Sequence, residues 1–157
     1  MTRPDVIVVG AGPAGAATAI LLCERGLEVL VLDRATFPRD KICGEYLSPE
    51  SARILDRLGV LKTIDGAGAA PLVGMRITAP DGTVLEARYR AVDGRQPYRG
   101  HAMGLSRSVL DAILVDRLRA LPVDVREGVR VTDLVVDGDR VTGVETLDAE
   151  GDRKSVV

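Results

Sequence analysis

The sequence has few aromatic residues, few cysteines and a single histidine. Only 3% of its 157 residues are aromatic and Trp is absent, so a core must be built from Val, Leu, Ile and Ala. Two cysteines, Cys23 and Cys43, are too few for a disulfide framework. His101 is not part of a His, Cys or acidic pattern with metal-ligand spacing. We therefore predict no metal site and no Ser–His–acid triad.

Net charge and long hydrophobic runs are also limited. The formal net charge is −2 and the arginines are scattered, which argues against nucleic acid as a partner. No stretch approaches the roughly 20 apolar residues that span a bilayer, and we expect no signal peptide before the first strand pattern. With 46% hydrophobic residues, the chain is predicted to form about one domain. We expect it to be cytoplasmic, with peripheral membrane association if its substrate is a lipid.

The first residues have the pattern of a dinucleotide-binding βαβ unit. An apolar strand pattern leads into three spaced glycines and an alanine-rich helix pattern. In such a turn Gly10 allows the tight bend and Gly12 lets a pyrophosphate approach the backbone, while Gly15 lets the helix pack on the strand. Asp33 ends the next apolar strand, where its carboxylate can accept hydrogen bonds from a ribose.

The remaining sequence predicts an α/β chain with two hairpins. One helix is predicted from Ser48 and Pro49 to about Gly59, and another from Ser106 to Leu121. A loose linker is expected at 66–70 and a polar, irregular stretch at 90–104. The apolar face of the first of these helices is assigned to Ile54, Leu55, Leu58 and Leu61. The predicted strands after the βαβ unit are 73–78, 83–89, 123–125, 129–136, 141–147 and a last strand that starts near Lys154.

Three segments together resemble the geranylgeranyl reductase family, within the para-hydroxybenzoate hydroxylase-like flavoproteins. They are the Gly10–Gly15 turn with Asp33, the Phe37–Pro49 loop with its Lys-x-Cys-Gly-Glu sequence, and the segment Gly104–Asp111. The resemblance implies a Rossmann-like FAD-binding βαβ domain with an inserted β-hairpin region and an antiparallel β-hairpin near the C-terminus. It favours FAD over NAD as the bound cofactor and implies NAD(P)H as the electron donor.

The resemblance also implies roles for single residues, although it implies no catalytic residue in this stretch. The adenosine ribose is expected at Asp33, where the family usually has Glu. The pyrophosphate is expected at Gly10, Gly12, Ala14 and Gly15. The adenine is expected beside Arg34 and the backbone of Val131. Further contacts to FAD are expected from Lys41, Cys43, Gly44 and Tyr46 in the Phe37–Pro49 loop, which we call the cofactor loop. Another is expected from Arg107, in the helix predicted to start at Ser106.

Simpler interpretations stay open for several loop residues. Arg39 and Lys41 are alternatively solvated loop charges, and Cys43 is alternatively a small buried residue without a redox role. Glu45 is either a general acid or a carboxylate that hydrogen-bonds the backbone. His101 is expected to be an exposed loop residue.

Members of the resembling family are longer than this chain. After the last hairpin they continue with a returning strand and an Asp-Gly segment, then a Gly-Asp motif and a substrate-binding sheet. We therefore expect an incomplete flavoprotein fold, with residues 1–157 as the N-terminal part of an FAD-binding domain. The expected parts are a βαβ unit with the cofactor loop at 1–65, a β-rich insertion at 66–105, and a helix with strands at 106–157.

The first functional hypothesis is an FAD-dependent oxidoreductase that delivers hydride to a C=C bond of a prenyl chain. Its substrate would be a small molecule or a lipid. Alternatives are a flavin-dependent monooxygenase or halogenase of the same fold and, if the chain is complete, a non-catalytic nucleotide-binding module. An NAD-binding Rossmann domain is a further alternative, which the Cys-Gly-Glu loop disfavours.

Overall fold

The computed structural model describes residues 3–43, 45–91, 93–148 and 151–157, which form two compact units. The first unit joins Met1–Asp40 to Asp111–Val157, and the second unit is Lys41–Leu110. The helices are α1 (Pro13–Cys23), α2 (Ser51–Arg57), α3 (Leu61–Gly66) and α4 (Arg107–Arg119). The strands are β1 (Val6–Val9), β2 (Val29–Leu32), β3 (Tyr46–Leu47), β4 (Ala70–Leu72), β5 (Gly74–Thr78), β6 (Val84–Arg88), β7 (Ala102–Gly104), β8 (Asp124–Arg126), β9 (Arg130–Asp137), β10 (Arg140–Leu147) and β11 (Arg153–Val156).

The first unit contains the predicted βαβ unit. Its parallel sheet has the order β1-β2-β8, with Val6 opposite Val29 at the start of the β1–β2 ladder. All four residues of β2 are buried, as expected for an uninterrupted apolar strand in a parallel sheet. Helix α1 connects the first two strands and buries Ala16, Ala19 and Ile20. The alanines allow this helix to approach its neighbours closely.

A second, antiparallel sheet completes the first unit. Its order is β11-β10-β9, and Gly138 has a positive φ of 58° at the turn between β9 and β10. The predicted hairpin and the predicted last strand are therefore confirmed. Leu30 and Leu32 of β2 form a buried cluster with Val144 of β10, so the parallel and antiparallel strands of this unit share one apolar core.

The second unit holds a three-stranded antiparallel sheet, in the order β3-β7-β4, and the separate β5–β6 hairpin. The hairpin is confirmed, but the prediction of an irregular stretch through residue 104 is wrong. Ala102 and Met103 are buried, and β7 pairs with both β3 and β4. The predicted linker is shorter than 66–70 and covers residues 67–69, because α3 includes Gly66 and β4 starts at Ala70. Strands of two or three residues are too short to show a period in sequence.

Helix α2 begins later than predicted. It starts at Ser51, after a turn at Pro49 and Glu50, and the Ser51 N–H donates to Ser48 Oγ at 3.2 Å. Gly59, with a φ of 75°, lies between α2 and α3, and Leu61 belongs to α3. Ile54 is exposed, so it is not part of the buried face. The hydroxyl of Ser48 therefore accepts a hydrogen bond from the first helical residue, across the turn at Pro49 and Glu50.

Candidate nucleotide-binding site

The backbone conformation of the turn between β1 and α1 requires glycine. Gly10 has a φ of 97°, which side chains disfavour, and its N–H donates to Leu32 O at 2.7 Å. A Cβ on Gly15 would lie 1.8 Å from Gly10 O, so α1 packs directly on the turn. The two glycines occupy the conformation and the close contact that the sequence pattern predicts.

The N-terminus of α1 is open to an anionic ligand. Gly12 is its N-cap residue, no side chain caps the helix, and its first turn contains no acidic residue. The first intrahelical bond here runs from Ala16 N–H to Gly12 O, at 2.9 Å. The N–H groups of a first helical turn have no intrahelical partner and form the positive end of the helix dipole. This end therefore fits the pyrophosphate of a dinucleotide, which Gly12, Ala14 and Gly15 would contact through the backbone.

Asp33 lies directly after β2 and is only 6% exposed. Its Oδ2 accepts the Ala11 N–H at 2.7 Å and its Oδ1 accepts the Ala35 N–H at 2.8 Å. The backbone N–H of Asp33 donates to Arg126 O at 3.0 Å. Both oxygens of the carboxylate are thus fixed beside the glycine turn. A carboxylate oxygen can accept two hydrogen bonds, so each still has an acceptor position for a ribose hydroxyl.

An ion-pair cluster beside Asp33 was missed from sequence. Arg39 Nη2 lies 3.6 Å from Asp111 Oδ2 and 3.9 Å from Asp33 Oδ2, and the Arg39 side chain is 21% exposed. The interpretation of Arg39 as a solvated loop charge is therefore wrong. Asp111 on α4 is fully buried, next to the buried Leu110 and on the same face as Val115. A signal was present in the sequence, namely one acid within the apolar stripe of the predicted helix.

Arg34 borders an open cleft of about 650 Å³. The other lining residues are Ala35, Thr36, Gly128, Arg130, Leu147 and Asp148. Val131 follows Arg130 in β9, lies opposite Thr146 of β10 and packs against the buried cluster of the first unit. The structure thus places Arg34, Val131 and Asp33 in the same compact unit as the glycine turn.

The remaining predicted residues belong to the second unit. Lys41 and Cys43 are exposed, and Arg107 is the first residue of α4. The interpretation of Cys43 as a buried residue is therefore wrong. Tyr46 in β3 lies 2.8 Å, hydroxyl to hydroxyl, from Tyr89, and this hydrogen bond raises the pKa of Tyr46. Gly44 lies outside the described residues.

Two other loop residues were considered from the sequence, Glu45 and His101. Glu45 is exposed, has a φ of 54°, and its backbone C=O accepts the Leu105 N–H at 3.0 Å. His101 is half-buried rather than exposed. Across the described ranges, no three His, Cys, Asp or Glu side chains come together as a metal site. Over the same ranges, no helix has the length and apolarity needed to cross a membrane.

The chain is similar to a known protein family over nearly its whole length. A family model for an FAD binding domain matches residues 3–157. The chain belongs to this family. FAD as the cofactor, the flavoprotein class and the mixed α/β FAD-binding fold are therefore confirmed.

Curated relatives of the chain include reductases and a monooxygenase. The menaquinone reductase of Mycolicibacterium smegmatis is 52% identical over 64 residues, which are 41% of this chain and 16% of that protein. The 6-methylpretetramide 4-monooxygenase of Streptomyces rimosus is 34% identical over 141 residues, 89% of this chain and 33% of that protein. The digeranylgeranylglycerophospholipid reductase of Methanosarcina mazei is 30% identical over 147 residues, 91% of this chain and 33% of that protein.

A solved halogenase has a closely similar fold. The myxobacterial chondrochloren halogenase CndH, described as a variant of FAD-dependent halogenases, matches with a TM-score of 0.87 and 30% identity. The match covers 99% of this chain and 35% of that chain. The chain thus spans about a third or less of the length of these relatives. The family is that of FAD-dependent oxidoreductases, monooxygenases and halogenases.

Proposed function

We propose that the chain is the N-terminal, FAD-binding part of an FAD-dependent reductase that acts on a C=C bond of a prenyl chain. The observation that carries the FAD site is the uncapped N-terminus of α1 beside the buried carboxylate of Asp33. The reductase activity is supported by the resemblance of the cofactor loop to geranylgeranyl reductases. It is also supported by similarity to two proteins that are named reductases.

The residues of the first unit would bind and orient the adenosine diphosphate half of FAD. Gly10 and Gly15 shape the turn, and the backbone N–H groups at Gly12 and Ala14 donate to the pyrophosphate. Asp33 accepts hydrogen bonds from the ribose hydroxyls. Arg34 and the backbone of Val131 would hold the adenine, since a guanidinium can stack on a flat ring.

The residues of the second unit are proposed to contact other parts of FAD. Arg107 and Lys41 carry positive charge suited to phosphate or to an electron-rich ring. Cys43 and Gly44 are proposed to line the FAD side of the loop. FAD itself would supply the redox chemistry, and NAD(P)H would supply the electrons. The chain's own part would be to hold the cofactor and keep water from it.

A flavin-dependent monooxygenase or halogenase is the second candidate. The 34% identity to a monooxygenase and the 0.87 TM-score to a halogenase favour this alternative. A protein that carries this chain with the rest of its fold would separate the two candidates. Incubated with NAD(P)H and a prenyl lipid, a reductase adds two hydrogen atoms to the lipid, and a monooxygenase adds an oxygen atom. Mass spectrometry of the product distinguishes these outcomes, and an unchanged prenyl lipid would contradict the reductase proposal.

The FAD site is tested by flavin retention on the purified chain. After incubation with FAD and desalting, we expect the visible flavin absorbance to stay with the wild-type protein. Asp33→Ala removes the ribose acceptor and should lower retention by at least about tenfold, the size expected for charge-assisted hydrogen bonds. Asp139→Ala, at the exposed turn of the β9–β10 hairpin, is the matched control. Equal retention by wild type and Asp33→Ala would contradict the ribose role.

A further inference from the structure

We propose that Arg39 and Asp111 are positioning residues for Asp33, and that they hold its carboxylate in place for the ribose hydroxyls of the nucleotide. This inference rests on the proposed function, because it assumes that Asp33 binds the ribose. A loop arginine and a buried helix carboxylate thereby gain a positioning role at the nucleotide site. Neither of these residues belongs to the glycine turn or to the predicted set of cofactor contacts.

The segment before Arg39 is fixed to the rest of the first unit. The Phe37 N–H donates to Glu127 Oε2 at 2.7 Å, and the Gly128 N–H donates to Ala35 O at 3.4 Å. The guanidinium of Arg39 lies 5.0 Å from the centre of the Phe37 ring, within the range of a cation–π contact. These contacts thus hold Arg39 in one position beside Asp33.

Arg39 attracts Asp33 without occupying its acceptor positions. Its Nη2 lies 3.9 Å from Asp33 Oδ2, beyond the roughly 3.2 Å limit of an ordinary N–H···O hydrogen bond. The charge interaction persists at this distance because both groups are largely shielded from water. The two hydrogen bonds that Asp33 does accept come from backbone N–H groups. Its remaining lone pairs are therefore available for hydroxyl donors.

Asp111 holds Arg39 from α4. Its carboxylate is fully buried, and its Oδ2 lies 3.6 Å from Arg39 Nη2. Arg39 Nε is itself buried and has no hydrogen-bond partner among the described residues. The guanidinium is thus located by two carboxylates and one aromatic ring rather than by its own hydrogen bonds. Loss of either charge partner would let Arg39 move and would change the field around Asp33.

The test compares two ligands that differ only at the ribose. Binding of ADP and of 2′,3′-dideoxy-ADP to the whole chain is measured by calorimetry. We expect wild type to bind ADP at least about tenfold more tightly than the dideoxy ligand. In Arg39→Gln this preference should fall to about threefold or less, with little change in affinity for the dideoxy ligand. Arg39→Lys, which keeps the charge, should recover part of the preference.

The matched control is Arg140→Gln, which removes the same charge from an exposed residue in the β9–β10 hairpin. It should keep the full wild-type preference. Asp111→Asn keeps the shape of the side chain, removes its charge, and should weaken the preference in the same direction as Arg39→Gln. If Arg39→Gln does not fold, as judged by circular dichroism, Asp111→Asn decides the question.

The outcomes separate this inference from the proposed function. No preference for ADP in wild type would contradict the ribose role of Asp33 itself. A wild-type preference that survives in folded Arg39→Gln, or in Asp111→Asn, would overturn the positioning role and leave the ribose role standing. An equal loss of affinity for both ligands would also overturn it, since that result indicates a general structural effect.

Discussion

At the residue scale, Gly15 is a position where a single added methyl group would clash with the backbone. The added Cβ would lie 1.8 Å from a backbone oxygen, which cannot rotate away as a side chain can. We expect Gly15→Ala to lower the free energy of unfolding by about 3 kcal/mol or more, the upper range for overpacked sites. It should also abolish flavin retention. Urea unfolding followed by circular dichroism measures the first effect.

Gly66→Ala is the control for that substitution. A Cβ at Gly66, the last residue of α3, would meet no atom within 4 Å. Since Ala favours helix over Gly, this variant should be unchanged or more stable by less than about 1 kcal/mol. Similar unfolding curves for the two variants would contradict the role of Gly15 in packing α1 on the turn.

The same scale shows what sequence reasoning could and could not predict. The glycines and Asp33 were predictable because each meets a local requirement. Gly10 allows the bend, Gly15 allows the close approach of helix and turn, and Asp33 is an acid at the end of a strand. The Arg39–Asp111 pair was not, because it joins a loop to a helix far along the chain. A charged residue that tertiary packing buries is the same amino acid as a solvated one, so the sequence alone does not distinguish them.

At the element scale, α3 is tied to the segment before β7 by one ion pair. Arg99 donates through Nη1 and Nη2 to the two oxygens of Asp65, at 2.7 and 2.6 Å. These bonds hold the pKa of Asp65 below its ordinary value of 3.8. A lowered carboxyl pKa contributes stability that is complete above the unfolded-state value and is lost as the pH falls through the folded-state value.

We therefore expect Asp65→Asn to be less stable than wild type at neutral pH. The difference should shrink as the pH falls below about 4, because the wild-type carboxylate then takes up a proton, first in the unfolded state and at lower pH in the folded state. Thermal unfolding of both proteins at several pH values measures this difference, and Asp139→Asn controls for the loss of one exposed acid. A difference that stays constant into acid would contradict the assigned ion pair.

Elements with a repeating pattern were predicted better than short buried ones. The β9–β10 and β5–β6 hairpins have alternating residues around turn sequences, and both are confirmed. Strand β7 has three residues and was taken for irregular chain. Its strand conformation comes from pairing with β3 and β4, which are distant in sequence, so no local signal could reveal it.

At the scale of the whole molecule, FAD should stabilise the chain by mass action. A ligand that binds only the folded state adds about 2.7 kcal/mol when its concentration is 100 times its dissociation constant. We expect the melting temperature to rise with FAD concentration for wild type and to rise much less for Asp33→Ala at the same concentrations. Differential scanning calorimetry with and without FAD measures both shifts. A melting temperature independent of FAD would contradict the proposed site.

The fold class and the cofactor were predictable at this scale, and the substrate was not. The chain is similar in sequence to proteins named reductase and monooxygenase, and in fold to a halogenase. The stretch that matches is an FAD binding domain, so it serves the cofactor. A fold that occurs in enzymes of several reaction types does not identify which reaction a given member catalyses.

The contact between Asp33 and the Ala11 N–H has a consequence for the kinetics of binding. The carboxylate that would bind the nucleotide already fixes the turn that receives the phosphates, so the receptor geometry exists before any ligand arrives. Little reorganisation then remains to be done on association, and little entropy is lost by the protein. The rate of FAD capture would therefore be governed by diffusion and access rather than by a slow conformational step.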